Sequence, residues 1–461
     1  MAVSPGFRSK FEKVPSTSNE GIGLLTCLSL VTATMVGTGV YTSLGFQLQD
    51  LTSGFSILIL WLLGGLISLC GALCYAELAS AIPRSGGEYT YLSEIYHPAA
   101  GFMAAFISVI AGFAAPIAIT AIAFGSYLHS SLPICPAMGS SVLVVILISL
   151  GHLRSLYLSE LVQNGMTSVK FLLLGLFLLV GFWNVLRHPS VLAILAPVPR
   201  SLPELLQPSS GVALIFVLYA YSGWNASTYL AGEVRNRQRT VGLSLVIGTL
   251  VVTLLYFLLN AVFLTAAPIG AMRGVLNVGS VAATSLLGAM GGSIMSGMIA
   301  LGLLASLSAM IWAGPRVTQR VGEDYKLFRV LSQRSVGGIP VNATVLQLLL
   351  ILILVATGSF KSVLLYAQTP LLLCLILGVA GIFVLRRRGS SKALTEIPIA
   401  FRCPLYPLPP LLFIICTLAA LVYSTLSNPW IALAGFATML LPLGFYPWLV
   451  SQGSRSYKSS S

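Results

Sequence analysis

Gly37, Thr38 and Gly39 interrupt an apolar run at about 22–46, and Ser222 and Gly223 interrupt another at about 211–230. Each run is long enough to cross a bilayer as a helix, and each breaks near its midpoint. In hydrocarbon an unpaired backbone group costs several kcal/mol, so broken helix persists only where it lines a protein cavity. The first break frees amide N–H groups at the start of the second half-run, beside Met35. These groups carry partial positive charge and suit a carboxylate, and Thr38 adds a hydroxyl donor. The second break frees carbonyls near Tyr219 and Ser222, which suit an ammonium. An α-amino acid carries both groups on one carbon, so the pair of breaks can read its backbone and leave its side chain free. Glycines in membrane helices also mark close packing. Two breaks at corresponding positions of two halves point instead to a transporter's binding site.

Lys170 is the other chemically unusual residue. It sits inside an apolar run at about 161–186. A charge within a membrane segment is costly and marks function by default. The alternative is snorkelling, because Lys170 stands about nine residues from the start of its run and its stem can reach an interface.

The elements that must hold these residues are long apolar runs. Twelve are expected, at about 22–46, 55–80, 99–128, 139–153, 161–186, 211–230, 242–266, 285–314, 340–357, 363–385, 406–426 and 430–450. Arg187, Arg200, Arg273 and Lys361 are the basic residues of one set of loops. Arg8, Lys10, Lys13, Arg84, Arg154, Arg235, Arg237, Arg239, Arg316, Arg320, Lys326, Lys392, Arg455 and Lys458 are among the many on the other side. That bias predicts both termini in the cytoplasm, segments 1–21 and 451–461 being short tails. Five runs fill 22–186 and five fill 211–385. An odd number per block makes the second enter from the opposite side. The expected fold is an all-α membrane protein with a LeuT-type 5+5 inverted repeat, twelve transmembrane helices in all, with 406–450 as two accessory helices. No cleavable signal is expected before the first run, because residues 1–20 are polar and basic.

Composition excludes several classes. The chain is 56% hydrophobic and 8% charged, against about 25% charged in ordinary soluble domains. The net charge of +13 lies in loops between spans and forms no nucleic-acid-binding face. Seven cysteines form no framework, and four histidines (His97, His129, His152, His188) lie in loops or at span ends. No metal or other cofactor is expected. The twelve acids lie in loops or near span ends, with no paired carboxylates or Ser/His constellation at mid-membrane, so neither an enzyme nor a phosphate-binding ATP-driven pump is indicated.

Several strings resemble the amino acid–polyamine–organocation (APC) transporters, and within them the bacterial relatives of L-type and cationic amino acid transporters. They are Met35-Val36-Gly37-Thr38-Gly39-Val40-Tyr41, similar to the family's G-S-G-I-F, and Tyr75-Ala76-Glu77-Leu78-Ala79 with Ile82-Pro83-Arg84-Ser85-Gly86-Gly87-Glu88-Tyr89. Further on come Tyr219-Ala220-Tyr221-Ser222-Gly223-Trp224-Asn225-Ala226, Ala313-Gly314-Pro315-Arg316-Val317 and Phe401-Arg402-Cys403-Pro404-Leu405-Tyr406-Pro407. The chain departs at Asn236-Arg237, where the family usually has Asn-Pro, and at Thr38, where Ser is commoner.

The resemblance implies a substrate site at Met35, Gly37, Thr38, Gly39, Tyr219, Ser222 and Gly223, with Tyr219 as an aromatic gate and Trp224 packing below it. It implies that Lys170 stands where sodium-coupled members of this fold hold a cation, bonding to carbonyls near the Gly37 break. Lys170 would then replace sodium, carry a proton, or do both. Glu77 and Arg84 read either as a cytoplasmic gate or as a structural tie of the loop between spans 2 and 3. Animal L-type light chains carry a cysteine near Cys135 that links to a heavy chain. The strings here look bacterial, so Cys135 is read as free and no obligatory protein partner is expected.

The function expected is secondary transport of amino acids across the plasma membrane, by sodium-independent proton symport or exchange. The absence of an acid in the expected pocket favours neutral substrates. The alternatives are an amino acid receptor with little transport, and a transporter of another amine such as a polyamine. The surroundings are an amino acid substrate and a lipid bilayer.

Overall fold

Among the described residues of this computed structural model every regular element is helical. The structure describes residues 23–82, 84, 86–153, 157–335, 340–389 and 401–451. The expected tails, and the basic residues Arg8, Lys10, Lys13, Arg154, Lys392, Arg455 and Lys458, lie outside them, Ser451 excepted.

The first apolar run forms α1 (Leu24–Met35) and α2 (Thr38–Gln47). Then come α3 (Gly54–Ala81), the short α4 (Gly87–Ile95), and α5 (Pro98–Ile107), which continues through a π-helical stretch into α6 (Ala115–Ser131). Next are α7 (Ala137–His152), α8 (Tyr157–Arg187), α9 (Ser201–Leu205) and α10 (Pro208–Tyr221). A 3-10 segment, Ala226–Glu233, leads into α11 (Arg237–Ala266), α12 (Ile269–Met272) and α13 (Val278–Asp324). The chain ends with α14 (Val341–Thr357), α15 (Phe360–Gly389), α16 (Leu408–Ser427) and α17 (Pro429–Ser451).

Nine helices among the described residues are long and apolar enough to cross a membrane, counting α1–α2 as one and the α5–α6 continuation as one. Three shorter apolar helices, α7, α10 and α14, stand at the fourth, sixth and ninth expected positions. The eighth run is longer than read from sequence: α13 extends over 47 residues, with a non-helical kink at Gly288. Its polar end, through Asp324, escaped a reading based on hydropathy because those residues leave the apolar run while the helix continues.

Helix ends follow local chemistry. Ser53 caps α3 by accepting from Ser56 N–H at 3.3 Å. Glu204 reaches the same end and accepts from the Thr52 and Ser53 amides at 2.6 and 3.2 Å. A carboxylate there also complements the helix dipole. Pro98 and Pro208 open α5 and α10, where a missing N–H costs nothing. In the interior α11 lies along α3, α6 along α13, and α10 against α2, α3 and α16. Small residues permit the approach: a Cβ on Gly65 would meet Thr253 Cγ2 at 2.4 Å. Leu147, Leu179, Phe182, Leu254 and Leu440 stay exposed, as a lipid-facing surface requires.

Candidate functional site

Between α1 and α2 only Val36 and Gly37 leave helical geometry. Val36 N–H still donates to Thr32 O at 3.0 Å, and Gly37 N–H turns back onto Met35 O at 2.8 Å. Gly37 is extended, with φ −120° and ψ −147°, and an added Cβ there would find only Met35 O, at 3.9 Å. Helix α2 restarts at Thr38, so the amides of its first turn have no intrahelical acceptors.

The second break follows Tyr221. Ser222 N–H closes a last turn on Tyr219 O at 3.0 Å. Gly223 then adopts φ +102°, a left-handed conformation that suits glycine, and turns the chain into the 3-10 segment. The two breaks abut. Thr34 Oγ1 lies 3.3 Å from Gly223 O. Gly39 is packed so tightly that a Cβ on it would stand 2.4 Å from Cα of Ala220. Close packing is thus part of what Gly39 does, while Gly37 borders open space.

Tyr256 of α11 joins the breaks, and sequence reasoning missed it. Its hydroxyl is within hydrogen-bond distance of Met35 O at the first break and 2.9 Å from Ala220 O at the second. The ring is fully buried, edge-on to Trp61 at 5.4 Å and against Tyr221 at 5.0 Å. A phenol has one proton, so it satisfies one of the two carbonyls at a time. Met35 O keeps the Gly37 N–H in either case, so Ala220 O is the carbonyl left as an acceptor when the hydroxyl turns to Met35, and a carbonyl there suits an ammonium. The available signal was a lone tyrosine amid the aliphatic residues of α11.

Tyr219 and Thr38 face each other, with Oη and Oγ1 2.7 Å apart. Tyr219 also meets Phe360 edge-on at 6.5 Å. Phe46 stacks between Phe216 and Phe360 at 5.2 and 5.4 Å. These rings close the α2 side of the breaks. The α1 side differs: Thr26, Ser29 and Thr34 are exposed along one length of α1, and Gly37, Ser222 and Gly223 are half-buried. Trp224 packs edge-on to Tyr75 at 4.9 Å.

Lys170 is 4% exposed. Its Nζ donates to Ala33 O in the last turn of α1 and to Ser306 Oγ of α13, both at 3.3 Å. The side chain therefore turns toward the first break instead of reaching for an interface. It ties α8 to α1 and α13 at once.

The pairing of Glu77 with Arg84 does not form. Glu77 is buried and takes Arg386 of α15 in a two-pronged pair, Nε to Oε1 at 2.8 Å and Nη2 to Oε2 at 2.6 Å. Cys403 N–H adds a third bond at 2.6 Å, and the Arg386 guanidinium lies over the Tyr406 ring at 3.8 Å. Arg84 instead pairs with Glu94 at 2.8 Å, half in solvent. Glu77 is buried against Arg386 of α15, whereas Arg84 lies beyond the end of α3 and is half exposed. The cluster is a structural tie between α3, α15 and segment 401–406.

The described cysteines, Cys135 included, are free. No group of three metal-ligating side chains occurs among the described residues. No acidic side chain among the described residues bonds to either break.

A family model described as amino acid permease matches residues 22–444. The chain is 27% identical over 401 residues to the serine/threonine exchanger SteT of Bacillus subtilis (strain 168), covering 85% of this chain and 88% of that protein. It is 28% identical over 438 residues to the human large neutral amino acids transporter small subunit 2, covering 92% and 79%. It is 24% identical over 415 residues to the human b(0,+)-type amino acid transporter 1, covering 85% and 81%. These relatives are transporters and exchangers, not enzymes. One of them is named as a small subunit, so the expectation of no obligatory partner gains no support from them.

Proposed function

Because the chain belongs to the amino acid permease family, we propose that it is a sodium-independent secondary transporter of neutral amino acids in the plasma membrane. It works by alternating access around the two breaks. The observation that carries this reading is the meeting of a free helix N-terminus at Thr38–Gly39 with the Ala220 carbonyl, whose Tyr256 hydroxyl is shared with Met35 O. The substrate carboxylate takes the first and its ammonium the second. Tyr219 closes over it, and Met35, Gly37, Ser222 and Gly223 complete the wall.

In this reading 22–186 and 211–385 are inverted five-helix repeats of the LeuT type and 406–450 adds two accessory spans, twelve in all. Both termini are cytoplasmic, so the α1 side with its exposed Thr26, Ser29 and Thr34 faces the cytoplasm. Lys170 supplies the positive charge of an absent cation to Ala33 O. Neutral substrates are favoured because no acid bonds to the breaks, and exchange is the mode named for one relative. Cys135, in the short connection between α6 and α7, is left free.

The experiment is uptake of labelled amino acids into proteoliposomes, with and without internal amino acid and with sodium replaced by choline. Uptake that needs internal substrate and ignores sodium supports exchange. Uptake driven by an inward proton gradient alone identifies symport. Binding without flux would make the protein a receptor.

A further inference from the structure

Glu88 is a buried carboxylate with no role in the reading above. It is 4% exposed at the start of α4, and no cation pairs with it among the described residues. Its bonds go to the segment that follows the second break. Asn225 Nδ2 donates to one carboxylate oxygen, and Tyr229 Oη donates to the other at 2.6 Å. Tyr75 of α3, Tyr91 of α4 and Cys374 of α15 lie near it. A buried ion without a counter-charge is unfavourable unless hydrogen-bonded, so here the two donors hold the charge in place.

The backbone is arranged for the same contact. Gly86 and Gly87 have φ +122° and +52°, and a Cβ on Gly87 would stand 2.6 Å from Cε1 of Tyr229. Helix α4 thus begins flush against the Tyr229 ring. The next side chain, Tyr89, points to a different helix and donates to Asp324 at the end of α13. Adjacent residues of a nine-residue helix therefore grip two separate bodies, the 3-10 segment after the second break and the end of α13.

We propose that Glu88 is the latch of the conformation in this structure, in which Thr26, Ser29 and Thr34 of α1 are exposed. Its carboxylate fastens the segment after the second break to α4, and through Tyr89 and Asp324 to α13. This rests on the transport reading above, because a latch matters only if the breaks change conformation. A carboxylate suits the position because both oxygens accept and the bonds are charge-assisted, about twice as strong as neutral ones. In Glu88→Gln the shape stays, but the charge goes and one of the two accepting oxygens becomes an NH2 donor.

The test has two readouts. The first needs no substrate: amide hydrogen exchange in 226–231 reports opening of the latch. It should quicken by at least about fivefold in Glu88→Gln, which loses the charge assistance, and in Tyr229→Phe, which loses one charge-assisted bond. The second is the ratio of apparent affinities at the two membrane faces in oriented vesicles. Each apparent constant is the intrinsic one divided by the fraction of the competent state. The ratio therefore changes by the same factor as the conformational equilibrium, at least about fivefold, with affinity lost on the α1 side. Tyr89→Phe breaks the same chain of contacts, so it should shift the ratio alike, and the double variant with Glu88→Gln should add nothing. Unchanged exchange in 226–231, an unchanged ratio, or additive shifts in the double variant would each overturn the proposal. A parent protein that moves no amino acid would instead defeat the transport reading, and hydrogen exchange would still decide the latch.

Discussion

Lys170 Nζ lies 3.3 Å from the carbonyl oxygen of Ala33, across from a chain segment 137 residues earlier. One ammonium thereby closes the end of α1 that the break leaves short of donors. Lys170→Ala should leave that carbonyl and Ser306 without their donor, at a cost of about 1–3 kcal/mol. Apparent substrate affinity should weaken roughly ten- to hundredfold. Binding and transport measured from about pH 5 to about pH 8 check this, and parental behaviour across that range would remove Lys170 from the mechanism.

Sodium should be dispensable. In the proposed reading the Lys170 ammonium beside Ala33 O stands in for a coupling cation. Replacing sodium by choline on both faces of proteoliposomes should not change the initial rate. A steep sodium dependence would contradict the assignment.

Tyr256→Phe should fold, since the ring keeps its packing on Trp61 and Tyr221. It removes the hydroxyl shared by Met35 O and Ala220 O, and the loss should cost about 1–3 kcal/mol. Substrate binding, measured by isothermal titration, should fall while far-UV circular dichroism is unchanged. Equal binding would show that the hydroxyl does not set the spacing of the breaks.

Gly37, in the first break, and Gly39, which the structure places in the first turn of α2, should separate in behaviour. Gly39→Ala drives a methyl into the backbone of Ala220 and should destabilise by about 1–3 kcal/mol, as overpacking does. Gly37→Ala meets open space and should keep the parental melting temperature while lowering substrate affinity. Equal melting temperatures for the two variants would refute the packing argument.

Arg386→Ala should be far more damaging than Arg84→Ala. The first leaves Glu77 buried and unpaired, a loss of about 3–5 kcal/mol. The second breaks a pair half in water, worth about 0.2–1 kcal/mol. Thermal unfolding in detergent distinguishes them, and similar melting temperatures would mean that Glu77 finds another partner.

The breaks were legible in the sequence because their cause is local. Gly37–Gly39 and Ser222–Gly223 sit within apolar runs, and chain chemistry over a few residues decides where a helix stops. Lys170 was legible for the same reason, as a charge where hydropathy allows none. What the sequence could not supply were partners. Sequence offers Glu77 either a gate with Arg84, seven residues away, or a structural tie, and in the fold its partner is Arg386, 309 residues away. Tyr256 was one tyrosine among 17, and only the meeting of α1, α10 and α11 made its hydroxyl the joint of the site. Glu88 stood among the loop acids until α4 folded it beneath Tyr229. The sequence by itself determined the membrane environment, the run of helices and the places where two of them break, because burial and backbone pairing act residue by residue along the chain. Only the tertiary structure decided which charges and hydroxyls complete those breaks, because a hydrogen bond requires its atoms within about 3 Å, and closure across hundreds of residues leaves no periodic trace in sequence.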